Sequence, residues 1–330
     1  MKVAVFSTQG YDRRFFDEAL ATEKGQDRFN FVYHEASLSF RSALLAKDCD
    51  AVCVFVNDTL NAEVLASLKD LGVRAVLLRC AGFNNIDLKA AAALGFFVAR
   101  VPAYSPEAVA EHAIAMTMTL NRNTHRAHNR VRDGNFMLDG LLGVTLSGKT
   151  AGVVGTGRIG LAIARILEGF GCTVLGYDPV PSPDFPGTMV ELRELLTRAD
   201  IISLHCPLTP ATQHMINAET LALMKHGAML VNTSRGGLID TAAVIAALKS
   251  RHLGHLAIDV YEQESALFFH DHSSDIIDDD LFQRLMSFPN VLVTGHQGFF
   301  TVEAMREICA VTLFNLSCFA DGKPCENVLT

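Results

Sequence analysis

The chain has 330 residues, enough for two domains, and an apolar content of 49% that can fill their cores. Its net charge of −8, with no basic tract and no tryptophan, argues against a nucleic-acid surface. No apolar stretch approaches the roughly 20 residues that cross a bilayer.

The first apolar run, 3–6, stops at Ser7 and is followed by Tyr11-Asp12-Arg13-Arg14, so it reads as a strand and not as a signal peptide. A helix is predicted at 12–20, a strand at 29–33 and a short helix at 42–46. Residues 51–56 form a continuous apolar strand of the kind buried on both faces. A helix at 62–71, a strand at 75–78, a helix at 88–94 closed by Gly95 and a strand at 97–100 complete a parallel-sheet domain over residues 1–100. That domain has no G-x-G-x-x-G, so the primary nucleotide site is expected elsewhere. The loop Arg79-Cys80-Ala81-Gly82-Phe83-Asn84-Asn85 follows a strand's carboxyl end, where open α/β sheets bind ligands. Arg79 could meet a carboxylate there, and Gly82 could let backbone N–H groups approach one. An ordinary βα turn accounts for the same residues equally well.

Val101-Pro102-Ala103-Tyr104-Ser105-Pro106 reads as a two-proline hinge. One long helix is expected over 106–132, with Ser105 as N-cap and Pro106 at the first helical position. Ala110, Ala113, Met116, Thr117 and Leu120 suit a packed face. Arg122, Arg126 and Arg130 recur on one stripe, either a solvated face or a subunit contact.

Residues 150–154 then run as a strand into Gly155-Thr156-Gly157-Arg158-Ile159-Gly160, and a helix is predicted at 158–170. Strand, glycine turn and helix in that order suit a dinucleotide pyrophosphate. The first glycine makes the turn, the second lets backbone approach the ligand, and the third lets helix pack on strand. The next strand, 173–177, ends in Asp178, 18 residues past Gly160, placed to hydrogen-bond both ribose hydroxyls of an adenosine. A carboxylate there also repels a 2′-phosphate, and no arginine follows in Asp178-Pro179-Val180-Pro181, so the expected cofactor is NAD and not NADP.

Further strands are predicted at 201–205, 229–232, 256–258 and 291–294, with helices near 190–197, 218–225 and 241–250, a doubly wound pattern. Right-handed crossovers bring the strand tips to one edge. These tips are Gly155, Asp178, His205-Cys206-Pro207, Thr233-Ser234-Arg235-Gly236, Asp259 and Gly295-His296. Reduction of a 2-oxo acid needs a proton at the developing alkoxide, which suits a histidine, and a planar cation for the carboxylate, which suits an arginine. His296 is the candidate acid/base and Arg235 the anchor and carbonyl polariser. Glu264 or Glu262 would partner the histidine, and Asp259 would orient the nicotinamide side or tune the pair. The acidic run containing His270 and His272 lacks a well-spaced third ligand, so no metal is expected. His252 and His255 read as surface residues. The eight cysteines contain no C-x-x-C and are read as reduced thiols of a cytoplasmic protein.

Taken together, these motifs resemble the D-isomer-specific 2-hydroxyacid dehydrogenases over nearly the whole chain, and most the fermentative bacterial D-lactate dehydrogenases. The resemblance rests on 78–85, on 101–112 (Val-Pro-Ala-Tyr-Ser-Pro-Glu-Ala-Val-Ala-Glu-His), on the glycine turn, and on His205-Cys206-Pro207-Leu208-Thr209. It rests also on Asn232-Thr233-Ser234-Arg235-Gly236, Asp259-Val260-Tyr261-Glu262-Gln263-Glu264 and Gly295-His296-Gln297. It implies an α/β chain of two Rossmann-like domains with a cleft that closes on binding. The flavodoxin-like substrate domain would be discontinuous (1–100 and 297–330), and the doubly wound NAD domain would span 101–296. It implies Arg235, Glu264 and His296 as the catalytic set, which favours Glu264 over Glu262. The substrate carboxylate would meet Arg235 and the backbone of Ala81 and Gly82, with Arg79 nearby, and Tyr104 and Phe299 would close on the substrate side chain. The cofactor set would be Gly155, Thr156, Gly157, Arg158, Ile159, Gly160, Asp178, His205, Cys206, Pro207, Thr212, Thr233, Ser234 and Asp259. Ser265 stands where many members have proline, and the stretch 266–280 after it is shared by the lactate branch. The implied reaction is reversible reduction of pyruvate to D-lactate by a homodimer or homotetramer joined through the NAD domain. A bulkier 2-oxo acid, or an NADH-sensing binding protein on the same scaffold, are the alternatives.

Overall fold

The computed structural model describes residues 1–22, 28–264 and 267–330. The chain divides into two compact units, Met1–Ser105 with Phe299–Thr330, and Pro106–Gly298. The first unit opens with β1 (Lys2–Val5), α1 (Gly10–Thr22) and β2 (Asn30–Tyr33), followed by a 3-10 turn at Ala43–Ala46. It continues through β3 (Ala51–Val54), α2 (Ala62–Asp70), β4 (Ala75–Leu78), α3 (Leu88–Ala93) and β5 (Phe97–Arg100). The sheet is wholly parallel in the order β2-β1-β3-β4-β5. β3 and β4 are buried at every position, which is why their sequences read as unbroken apolar runs. Asn61 and Asp87 start α2 and α3 by accepting the N–H groups of Val64 and Ala90.

The second unit begins with α4 (Pro106–Asn121) and α5 (Thr124–Arg132). The single helix expected over 106–132 is therefore two. Asn123 takes the left-handed conformation (φ 51°), and the Asn121 amide pairs with both backbone groups of Val144 at 2.9 and 3.0 Å. Gly143 approaches so closely that a Cβ there would lie 2.3 Å from the Asn121 carbonyl. This side-chain and backbone competition ends the helix. It also breaks the continuous stripe expected of Arg122, Arg126 and Arg130.

β6 (Thr150–Val154), α6 (Arg158–Gly169), β7 (Thr173–Tyr177), β8 (Thr188–Met189), α7 (Leu192–Arg198) and β9 (Ile201–Leu204) follow. Next come α8 (Ala218–Leu223), β10 (Ala228–Asn232), a 3-10 turn at Gly236–Leu238, α9 (Thr241–Lys249), β11 (Leu253–Ile258), α10 (Asp280–Met286) and β12 (Val291–Val293). All pairs are parallel, in the order β12-β11-β10-β9-β6-β7-β8. One core layer packs α4 and α6 on one face of this sheet, and another packs α7 to α10 on the other. The order reverses at β6, where α/β sheets of this kind hold their ligands. The two-residue β8 and the helix α10 are additions to the predicted elements.

The chain then returns to the first unit as α11 (Val302–Asp321), capped by Thr301 and packed against α1, β4 and β5. The tail pairs with β5 through an antiparallel bridge between Ala99 and Val328. The division differs from the sequence reading by a few residues, for local reasons. Val101 continues the β4 ladder by donating to Leu78, so the two-proline link stays with the first unit. Gln297 and Gly298 both donate to Asp259, so they stay with the second. No helix among the described residues is long and apolar enough to cross a membrane. All eight cysteines are free thiols, seven of them buried.

Candidate active site

In the second unit the glycine turn follows β6 directly. Gly155 has φ 93°, and a Cβ there would lie 2.5 Å from the Cys206 amide nitrogen, so the turn nests against the His205-Cys206 backbone. At Gly160 a Cβ would meet the Gly155 carbonyl oxygen at 2.0 Å, which is how α6 packs onto the turn. Gly157, the N-cap of α6, differs: a Cβ there would meet nothing within 4 Å. The space over the N-terminus of this twelve-residue helix is open, which suits an anion.

Asp178, just past β7, accepts from the N–H groups of Thr156 (2.7 Å) and Val180 (2.9 Å). The carboxylate keeps further lone pairs for ribose hydroxyls while it shapes the glycine turn. Two polar atoms at neighbouring tips, His205 Nδ1 and Thr233 Oγ1, are buried and have no hydrogen-bond partner among the described residues. Burial pushes the His205 pKa down from 6.5 to about 4. Ser234 donates to the Cys206 carbonyl, and Thr212 closes the loop after β9 by donating to the Pro207 carbonyl at 2.7 Å. Open helix terminus, positioned carboxylate and unpartnered buried polar atoms together fit a dinucleotide.

At the other tips of this sheet, His296 places Nδ1 2.9 Å from Glu264 Oε1, and Glu264 Oε2 accepts from the Tyr261 N–H at 2.9 Å. The side chains of His296 and Glu264 are 14% and 21% exposed, so the pair is shielded but reachable. His296 has φ 54°, a conformation that costs a non-glycine residue about 1 kcal/mol or more and clusters at functional sites. Glu262 is not the partner; it lies 2.6 Å from His214 and accepts from Thr241. Arg235 is half-buried, with its backbone carbonyl held by Asn232 and one guanidinium nitrogen donating to the Ser234 carbonyl. The turn it sits on is pressed against the Glu264-bearing segment, since a Cβ at Gly236 would lie 2.1 Å from the Tyr261 carbonyl carbon.

Asp259, expected to orient the nicotinamide side or tune the pair, is 1% exposed. It accepts from Thr294, Gln297 and Gly298 and lies 3.3 Å from His112 Nε2, a contact that the spacing did not reveal. Burial alone would raise the Asp259 pKa, but hydrogen bonds from His112, Thr294 and the Gln297 N–H outweigh it and hold the group below the usual carboxylate range. His252 and His255 are not surface residues: His252 bonds the Leu221 carbonyl, and His255 lies half-buried in β11, where burial lowers its pKa. Ser265 and the first residue of the 266–280 stretch lie outside the described residues.

In the first unit, the loop after β4 holds Ala81 and Gly82. The Ala81 carbonyl accepts from Arg100 at 2.8 Å and the Gly82 carbonyl from the Cys80 thiol at 3.2 Å. The N–H groups of Ala81 and Gly82 have no acceptor among the described residues. Phe299 is buried, with ring centroids 6.0 Å from Tyr104 and 5.8 Å from Phe55. Arg79, expected near the substrate carboxylate, is corrected by its surroundings. It is 1% exposed and donates to Asp12 and to the Phe6 and Ser7 carbonyls, so it braces the sheet edge and offers no free fork.

Residues 114–298 match the family model for the NAD binding domain of the D-isomer specific 2-hydroxyacid dehydrogenases. A 2-hydroxyacid dehydrogenase of Aspergillus oryzae is 60% identical over 331 residues, covering 100% of this chain and 95% of that protein. The D-lactate dehydrogenase of Escherichia coli is 51% identical over 332 residues, covering 100% of each. The apo-structure of the Escherichia coli enzyme aligns over 100% of both chains with a TM-score of 0.91. A pyruvate reductase of Chlamydomonas reinhardtii aligns with a TM-score of 0.92 at 44% identity, over 99% of this chain and 98% of that one. The chain belongs to the D-isomer specific 2-hydroxyacid dehydrogenases, oxidoreductases that use NAD.

Proposed function

We propose that the protein interconverts pyruvate and D-lactate, with His296 as proton donor in the reducing direction. The observation that carries this reading is the His296–Glu264 pair at 2.9 Å on the sheet edge that also bears the Arg235 turn. Glu264 is acceptor-only when ionised, so it fixes the hydrogen on Nδ1 and leaves Nε2 to face the reacting oxygen. It also stabilises the imidazolium that pyruvate reduction starts from. The nicotinamide cofactor supplies the hydride. Arg235 meets the substrate carboxylate with its planar fork and polarises the carbonyl. Of the first unit, the Ala81 and Gly82 N–H groups suit a carboxylate, and Tyr104 and Phe299 suit a methyl-sized side chain. Asp178 selects NADH, and the glycine turn with His205, Cys206, Pro207, Thr212, Thr233 and Ser234 holds the dinucleotide.

The relatives named above for D-lactate or pyruvate support that substrate. The protein acts in the cytoplasm as a homodimer or homotetramer joined through the second unit. In that unit Phe136, Met137, Leu138 and Leu142 are 63–95% exposed within one short segment, an apolar surface that suits a second copy. Sedimentation would read the assembly. The activity test is Arg235→Ala with pyruvate and NADH. It should raise the pyruvate KM by about 100-fold or more and leave NADH affinity near that of the parent. An unchanged pyruvate KM would remove Arg235 from the site.

A further inference from the structure

The turn that carries His296 is gripped by a cluster that takes no part in the proton transfer itself. Asp259 sits just past β11 and is almost fully buried. Its Oδ1 accepts from the Thr294 hydroxyl at 2.5 Å and from the Gln297 N–H at 2.9 Å. Its Oδ2 accepts from the Gly298 N–H at 2.7 Å, and its backbone carbonyl accepts from the His296 N–H at 2.7 Å. One residue thus holds positions 294, 296, 297 and 298.

His112, in the second turn of α4, completes the cluster. Its Nε2 lies 3.3 Å from Asp259 Oδ1 and 3.1 Å from Thr294 Oγ1. The Thr294 hydroxyl spends its hydrogen on Asp259, so both oxygens facing His112 are acceptors. Nε2 must therefore carry a hydrogen, and the imidazole is a donor in a fixed tautomer. Met116, one turn further along α4, also touches Thr294, with Sδ 3.6 Å from Oγ1. Fit is close on the far side too: a Cβ at Gly298 would lie 3.1 Å from Asp259 Oδ2 and 3.4 Å from the His112 ring.

The conformation being held is one that relaxes when unsupported. His296 has φ 54°, and strained non-glycine residues persist only where the surroundings over-determine them. We propose that His112 is a positioning residue for the reaction, which through Asp259 and Thr294 holds the His296 turn in its left-handed form and so keeps the imidazole facing Glu264. The inference rests on the acid/base role proposed for His296. His112 neither donates the proton nor touches substrate; its removal costs rate by letting the donor swing away. Asp259 remains ionised in this cluster, consistent with the donors that surround it.

The test compares the parent enzyme with His112→Leu and His112→Gln, using pyruvate and NADH for turnover and fluorescence of bound NADH for affinity. Leucine removes the donor, and glutamine restores an N–H of similar reach. His112→Leu is expected to lower kcat by roughly 10- to 100-fold, with pyruvate KM and NADH affinity changed by less than about threefold. His112→Gln is expected to recover most of the loss. A leucine variant with parental kcat, or a glutamine variant no faster than the leucine one, overturns the proposal. Should the leucine variant fail to fold, Thr294→Val against Thr294→Ser decides in the same way: valine slow and serine fast supports the clamp, and equal rates overturn it. His296→Gln run beside these separates the two readings. If it abolishes turnover while His112→Leu keeps parental kcat, only the positioning role falls. If it remains active, the role of His296 falls and the positioning proposal with it.

Discussion

Glu264 divides its two oxygens: Oε1 lies 2.9 Å from His296 Nδ1, and Oε2 accepts the Tyr261 N–H at 2.9 Å. The backbone bond aims the carboxylate, and the carboxylate aims the imidazole. Glu264→Gln keeps the shape but offers one acceptor oxygen where two were used, and it removes the charge that stabilises the imidazolium. Its kcat for pyruvate reduction is expected to fall by roughly 100-fold or more, with NADH affinity little changed. Steady-state kinetics beside NADH titration would read both, and a kcat within a few-fold of the parent would show that the pair is not used in the reaction.

The glycine turn gives two substitutions of the same size that differ in their effect on stability. At Gly160 an added methyl meets the Gly155 carbonyl at 2.0 Å, backbone against backbone, so Gly160→Ala should lower the thermal midpoint and weaken NADH binding together. At Gly157 the methyl meets no protein atom within 4 Å. Gly157→Ala should therefore melt like the parent yet bind NADH about tenfold or more weaker, because the methyl stands where the pyrophosphate approaches. Undiminished NADH affinity in Gly157→Ala would place the pyrophosphate elsewhere.

Asp178 holds the Thr156 and Val180 N–H groups and, in the proposed function, also meets the adenosine ribose. Asp178→Asn keeps an acceptor for one of these while removing the negative charge. The ratio of kcat/KM for NADH over NADPH is expected to drop by about tenfold or more, since the repulsion of a 2′-phosphate disappears. A ratio that stays put would clear Asp178 of cofactor choice.

His205 makes stability depend on pH in a defined window. Its folded pKa of about 4 lies below the unfolded value near 6.5, so the neutral ring is the form the fold accepts. The stability this group permits is complete above pH 6.5 and is lost as the pH falls through 4, by at most about 3 kcal/mol. Urea midpoints measured across that range should fall more steeply for the parent than for His205→Asn. Parallel curves would mean that His205 does not govern the loss.

Most of the fold was legible because β3, β4 and the strands around the glycine turn are short apolar runs closed by polar tips, a pattern that survives without knowledge of tertiary contacts. The strand tips also gave His296, Arg235 and Asp178, since a parallel sheet puts them on one edge whatever the loops do. What sequence could not give are pairs made across long separations. Arg79 finds Asp12 at 67 residues' distance, and that pairing turned a presumed ligand for a carboxylate into a buried brace. His112 finds Asp259 in the same way, at the far side of the sheet's sequence. The break at Asn123 depends on Val144, and the two-residue β8 is too short to carry a pattern. Glu262 and Glu264 are chemically alike and two residues apart, so the residue types alone left both open; the family resemblance favoured Glu264, and the geometry pairs Glu262 with His214 and Glu264 with His296.

Whether the enzyme is a D-lactate dehydrogenase is read by following NADH absorbance with pyruvate, then running the reverse reaction with D-lactate and L-lactate separately. The expected result is rapid NADH oxidation by pyruvate and NAD reduction by D-lactate alone. Turnover with L-lactate, or none with pyruvate while NADH still binds and a bulkier 2-oxo acid is reduced, would contradict it.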